Sequence, residues 1–321
     1  MSHEILSVKG LRVRREILEG RYEPAVVLSN IVRGIAPKFL LDPTEFFKRT
    51  HVTDSMKTLI VKTLMGLLGK TRAEVGGRAY TMYSKLIILP SLYGGGKSHS
   101  LAVLYHLLDI IRNVESPDKA RTIIKILDGE VAEFIYENWN ELKGVGVKSV
   151  VVDCGSEQFA PVPEDEREVK TLWGYIAQQL GRYSVIARYD KNISPPKGAL
   201  KEVLDNSGTV ILIDEIARYY TRTKELDRSV INDFLMNLTE VLTTEEIRKC
   251  VVIITLPYDV EKGVVEEAHA EAMRPEVIKR IVDRVGSGNT VPVVTTADLP
   301  SILKKRIFEE DEKTLRAVSY T

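Results

Sequence analysis

Two short stretches of this chain carry residue types that do chemistry together. The first is Ser91-Leu92-Tyr93-Gly94-Gly95-Gly96-Lys97-Ser98-His99. Consecutive glycines admit positive φ and aim successive backbone N–H groups at phosphate oxygens, and a helix beginning there adds its N-terminal partial charge. Lys97 supplies a mobile positive charge for the β and γ phosphates of a nucleotide, and Ser98 a hydroxyl for Mg2+. Tyr93, Gly94, Gly95, Gly96, Lys97, Ser98 and His99 are therefore the candidate nucleotide contacts, although His99 serves equally as a plain turn residue at the helix start. The usual phosphate-loop pattern opens on Gly, where Ser91 stands here. The second stretch is Val210-Ile211-Leu212-Ile213-Asp214-Glu215, an apolar run that ends in two acids. Asp214 at the carboxyl edge of a buried strand is placed to hold a Mg2+ water, and Glu215 is the natural general base for an attacking water. Thr255, at the end of a further apolar run, is expected to orient that water and report on the γ phosphate.

These residues need a sheet to gather them. Lys85 to Pro90, Lys148 to Cys154, Thr209 to Asp214 and Cys250 to Leu256 are near-continuous apolar runs, and Thr290 to Val294 is a weaker fifth. Such runs separated by helical stretches read as a mainly parallel sheet covered on both faces, the three-layer α/β sandwich of a P-loop nucleoside triphosphatase. A strand order of 5-1-4-3-2 puts Pro292 in an edge strand, where it is tolerated. Asp42-Pro43-Thr44-Glu45 and Thr53 signal helix starts, Gly69 a stop, and Leu101 to Ile111 an all-round apolar helix. Helices are also expected over Asp118 to Leu127, Glu130 to Leu142, Val230 to Leu242 and Asp298 to Glu309. The organisation expected is a helical N-terminal extension (1–80), a core (81–295) and the beginning of a lid with a polar stub (296–321), in a chain cut from a longer protein.

Composition excludes other classes. Lys and Arg number 45 against 45 Asp and Glu, so the net charge is +0 and no overall basic field grips nucleic acid. The basic patches available are local: Arg12, Arg14, Arg15 and Arg21, then Lys304 to Arg306. The two cysteines, Cys154 and Cys250, sit in or against apolar runs and read as reduced core residues. No signal segment or membrane span is visible, so a cytoplasmic protein without a membrane partner is expected. The Asn-Lys-x-Asp guanine motif is missing, which favours ATP over GTP.

Asp42-Pro43, Phe46-Phe47, Arg49-Thr50, Tyr93 to His99, Leu104-Tyr105-His106-Leu107, Thr171-Leu172-Trp173-Gly174, Ile213-Asp214-Glu215 and Leu256-Pro257 together resemble the AAA-like P-loop ATPases of DUF family 499. That resemblance runs from about residue 10 to 310. It implies an ATP- and Mg2+-dependent core of the AAA type, within the AAA+/ASCE superfamily, in proteins often encoded beside DNA methylases and linked to restriction-like or defence systems. It places Lys97 and Ser98 on phosphate and Mg2+, Asp214 on Mg2+, Glu215 as base and Thr255 as sensor. By the same analogy Arg280 or Arg284 acts in trans on a neighbour's nucleotide, which requires a nucleotide-dependent homo-oligomer, and Lys304-Lys305-Arg306 includes a γ-phosphate sensor. The leading expectation is an ATP hydrolase that powers or gates work on nucleic acid within a larger assembly, with DNA the partner that the resemblance suggests. The alternatives are a nucleotide-gated switch that binds ATP or ADP with negligible hydrolysis, and, less favoured for want of an acceptor pocket, a phosphotransferase.

Overall fold

Four runs of β-branched and aliphatic side chains decide where the sheet forms. Leu86–Pro90 (β1), Lys148–Asp153 (β2), Thr209–Asp214 (β3) and Cys250–Leu256 (β4) pair in parallel in the order β1-β4-β3-β2. Every residue of β1, β3 and β4 is buried, as a strand covered on both faces requires. The structure is a computed structural model that describes residues 7–8, 11–20, 25–90, 96–156, 158–161, 168–191, 193–205, 208–224, 228–243, 247–260, 262–265, 273–292 and 294–310.

Successive residues of each strand feed two separate cores. In β4, Val251 and Ile253 face one and Val252 and Ile254 the other; in β3, Leu212 and Ile213 divide in the same way. The first core is closed by Pro43–Lys48 (α1), Asp54–Leu67 (α2), Lys97–Asn113 (α3) and the helices between residues 117 and 145. The second is closed by Leu172–Gln179, Lys197–Leu204, Ile216–Arg222 (α4), Arg228–Thr243 (α5) and Pro275–Val285 (α6). The helices before residue 80 thus share a core with the sheet. Their starts follow local chemistry. Asp42 accepts from Glu45 N at 2.9 Å with Pro43 as first helical residue, and Thr53 Oγ1 accepts from Met56 N at 3.0 Å.

Three elements differ from expectation. The sheet has four strands among the described residues. At the place of the fifth, Thr290 makes a single parallel bridge to Ile88 and Val291 N donates to the Ile88 carbonyl at 2.8 Å; Pro292, with no N–H, cannot extend a ladder. The helix expected over Glu130 to Leu142 is two, Gly129–Glu137 and Trp139–Val145. Asn138 between them folds its side-chain amide back onto the Phe134 carbonyl at 2.7 Å, in competition with helical bonding. The stretch before residue 80, expected to be helical, closes with a hairpin of Arg72–Val75 and Arg78–Thr81. Near the C-terminus, Leu299–Ile307 (α7) leads into Phe308–Glu310, which pairs antiparallel with Leu11–Val13. The two ends of the described chain are therefore joined.

Candidate active site

Strand register brings the chemistry level. Asp153 pairs with Asp214, and Thr255 follows the Ile213–Ile254 pair and lies opposite Leu89. The carboxyl ends of β2, β3 and β4 thus present Asp153, Asp214 and Thr255 side by side, beside the exit of β1. Asp214 is buried. Its Oδ1 accepts from Thr255 Oγ1 at 2.8 Å and from Glu215 N at 3.0 Å, while Glu215 N also reaches Thr255 Oγ1 at 2.8 Å. The Ser98 hydroxyl hydrogen-bonds to the same carboxylate. Burial raises the Asp214 pKa, with the nearby Asp153 charge adding to it, while the bonds from Ser98 and Thr255 hold it down.

Of the stretch expected to form a phosphate loop, Ser91, Leu92, Tyr93, Gly94 and Gly95 lie outside the described residues. Gly96 is described and takes the left-handed conformation, φ 72°, that a side chain resists, and from it α3 begins at Lys97. Glu215 follows β3 with φ 51° and ψ 43°, an uncommon backbone for a residue bearing a Cβ. Burial pushes its carboxyl pKa up, reinforced by Asp214 and Asp153 and opposed by the Arg218 and Lys97 charges.

His99 is engaged on both ring nitrogens. Its Nε2 lies 3.0 Å from Thr50 Oγ1, whose hydroxyl donates to the Phe46 carbonyl at 2.9 Å, so Nε2 carries the hydrogen. Nδ1 then accepts from Arg306 Nη2 at 3.3 Å, and the ring packs on Phe46 at 4.7 Å between centroids. Burial, then the Arg306 and His106 charges, push its pKa down to about 3. His99 is a neutral tie between α1, α3 and α7.

Other candidates fall elsewhere. Arg284 on α6 pairs with Glu240 on α5 at 3.4 Å. Of the N-terminal arginines, Arg14 is only 6% exposed, gives Nη2 to the Lys305 carbonyl at 3.2 Å and faces Glu309 at 3.7 Å. Arg15 pairs with Glu19 at 2.6 Å, and Arg21 lies outside the described residues. The expected N-terminal basic patch is thus partly spent on contacts within the chain. Cys154 and Cys250 are buried and unpaired to one another, as expected.

Three residues at the site escaped the reading of the sequence: Asp153, Gly155 and Arg218. Asp153 accepts from Gly155 N at 3.0 Å, and Arg218 Nε pairs with Glu215 Oε2 at 2.8 Å. A usable signal existed for Asp153, since Val150-Val151-Val152-Asp153 repeats the pattern of an apolar strand ending in an acid. Arg218 stands one helical turn past Glu215, the spacing of a helical ion pair.

Among the described residues no group of three or more His, Cys, Asp or Glu is gathered to hold a metal unaided, and no helix is long and apolar enough to cross a membrane. The family model described as the DUF499 N-terminal domain matches residues 6–292. No curated protein and no solved structure matches the chain.

Proposed function

The chain belongs to the DUF499 N-terminal domain family, and from that premise we propose that it is an ATP-binding module of the AAA type that hydrolyses ATP with Mg2+. One observation carries the reading: the Ser98 hydroxyl, next to Lys97 at the start of α3, meets the buried Asp214 carboxylate at the end of β3. Two segments remote in sequence converge where a hydroxyl and a carboxylate face one another. Both are hard oxygen donors, the set Mg2+ takes, and nucleotide phosphates and water would complete the shell. The site therefore fits the ion as a shared ligand of protein and nucleotide.

In this reading the backbone of residues 93–96 cradles the phosphates and Lys97 balances their charge. Ser98 and Asp214 would hold Mg2+, which would supply positive charge to neutralise the nucleotide phosphates. Glu215 accepts the proton of the attacking water, and Thr255 fixes both Asp214 and the backbone of Glu215. The P-loop fold with strand order 5-1-4-3-2 is part of the same proposal, supported by Thr290 bridging to Ile88 at the β1 edge. Action of Arg284 in trans, a nucleotide-dependent homo-oligomer, and coupling to DNA and a DNA methylase rest on the family resemblance. Lys97→Ala should weaken ATP binding by tenfold or more, on the order of the 1.5–3 kcal/mol of a hydrogen bond to a charged group. Equal ATP affinity in parent and variant would remove the assignment.

A specific contact favours a second reading, a nucleotide-gated switch with negligible hydrolysis: the proposed base is ion-paired to Arg218. Multiple-turnover phosphate release, with and without DNA, separates the two.

A further inference from the structure

We infer that the amino-terminal end of the sheet, opposite the end that carries Asp214, is a docking face for single-stranded nucleic acid, with the Tyr83 ring as its stacking platform. The face goes beyond the hydrolase reading above and stands or falls apart from it. The ring is set from below. Tyr83 lies just before β1 and is 72% exposed, yet its ring rests on Gly288, where a side-chain carbon would come within 3.0 Å of Cδ2. Asn289, next to that glycine, is fully buried and holds the entry to β1: its Oδ1 accepts from Tyr83 N at 3.5 Å and its Nδ2 donates to the Leu86 carbonyl at 3.1 Å. Lys62, also buried, donates to the Gly288 carbonyl. The backbone under the ring is thus fastened from two sides, while most of the ring itself stands in solvent.

Cations gather at the same end. Lys85 precedes β1, Arg248 and Lys249 precede β4, and Lys148 opens β2. The ladder fixes their level: Lys148 pairs with Thr209 and Thr209 with Cys250, while Val252 N donates to the Lys85 carbonyl at 2.9 Å. Neighbouring strands lie about 4.8 Å apart, so the backbones bearing these residues spread over roughly 15 Å across the order β1-β4-β3-β2. Lys148, Arg248 and Lys249 are exposed and Lys85 is half-buried, and none of the four is ion-paired among the described residues. Glu240, near the end of α5 whose Leu242 carbonyl accepts from Lys85 N at 2.8 Å, is already paired with Lys197 and Arg284. Lys249 also holds a left-handed φ of 57°, an uncommon backbone for a residue bearing a Cβ, secured by Thr209 N donating to its carbonyl at 3.1 Å. A lone exposed ring is ordinary, and so is a lone lysine. Together they meet both needs of an unpaired strand: a π-face for a base, which a duplex keeps stacked inside, and positive charge for its phosphates.

The test is fluorescence anisotropy with labelled oligothymidylate, oligouridylate and a DNA duplex, without ATP, on the parent, Tyr83→Ala, Tyr83→Phe and Lys249→Asn; Asn tolerates the left-handed backbone. Both single strands should bind more tightly than the duplex, and the tighter of the two identifies the strand as DNA or RNA. Log affinity should fall with log salt at a slope of roughly −3, the value for four neutralised phosphates of a single strand, and Lys249→Asn should make that slope shallower by about 0.7. Tyr83→Ala should weaken single-strand binding roughly five- to a hundredfold, the worth of one base–aromatic stack, with Tyr83→Phe close to the parent. No single-strand binding at low salt, or a slope near zero, would overturn the face. Tyr83→Ala binding as the parent does would overturn the platform and leave the ring to a protein partner, and a duplex bound as tightly as the single strands would overturn the choice of strand. Phosphate release without nucleic acid should be alike in the parent and Tyr83→Ala; a loss in the variant would place the ring in the nucleotide machinery instead.

Discussion

Thr255 shows how much a single hydroxyl organises. Fully buried at the end of β4, it donates to Asp214 Oδ1 and accepts from Glu215 N, so one side chain sets the carboxylate proposed for Mg2+ and the backbone of the proposed base. Thr255→Val keeps the shape and deletes both bonds. Leaving a buried polar group short of a partner costs roughly 1–3 kcal/mol. A fall in stability of that size in denaturant melts is expected, recovered by Thr255→Ser; a Val variant as stable as the parent would show that the hydroxyl organises nothing. Asp153 deserved notice beside Asp214, since both end apolar strands and the register sets them opposite each other. In the sequence Asp153 stands inside the second apolar run, Lys148 to Cys154, with Cys154 after it, which conceals it as a strand-terminal acid.

At the scale of elements, α3 is fastened through its histidines. His99 ties it to Thr50 after α1 and to Arg306 on α7, and His106 Nε2 reaches the Leu40 carbonyl at 2.9 Å. Burial lowers both pKa values, that of His99 to about 3. The unfolded chain then binds protons near pH 6.5 that the folded chain refuses, so stability is complete above about pH 6.5 and drains as the pH falls toward 3. His106→Gln should flatten that acid limb of a stability profile; an equally steep limb would assign the loss to other groups. The four sheet strands were legible because strands buried on both faces are apolar throughout. Helix starts were legible because Asp42 and Thr53 cap within three residues. The pairing of 308–310 with 11–13 was not, because strands of three residues, far apart in the chain and rich in charge, leave no periodicity to read. The motif Thr171 to Gly174, which the sequence left without a role, acquires one in three dimensions. Thr171 donates to buried Asp190 at 2.6 Å while capping its helix, and Trp173 Nε1 donates to the Tyr189 carbonyl at 2.6 Å, which makes the motif scaffold.

At the scale of the whole molecule, balanced charge conceals local pairing. Arg14 is buried against the last turn of α7 and the segment that follows it, and Arg306 of α7 reaches the residue next to Ser98. Helix α7 is thereby linked to α3 and to the strand Leu11–Val13. Removing residues 299–321 should leave the sheet folded but lower the melting temperature, because Arg14 loses the Lys305 carbonyl and Glu309 and His99 loses a donor. An unchanged melting temperature would mean that this closure adds no stability. The central claim is that Lys97, Ser98, Asp214 and Glu215 form one site for hydrolysis of ATP. The most direct measurement is multiple-turnover phosphate release with Mg2+ and ATP by the parent and by Glu215→Gln, with ATP affinity measured on both. The account predicts turnover in the parent and, in Glu215→Gln, retained affinity with turnover reduced about a hundredfold or more, the scale of a general base; undiminished turnover in Glu215→Gln would contradict it.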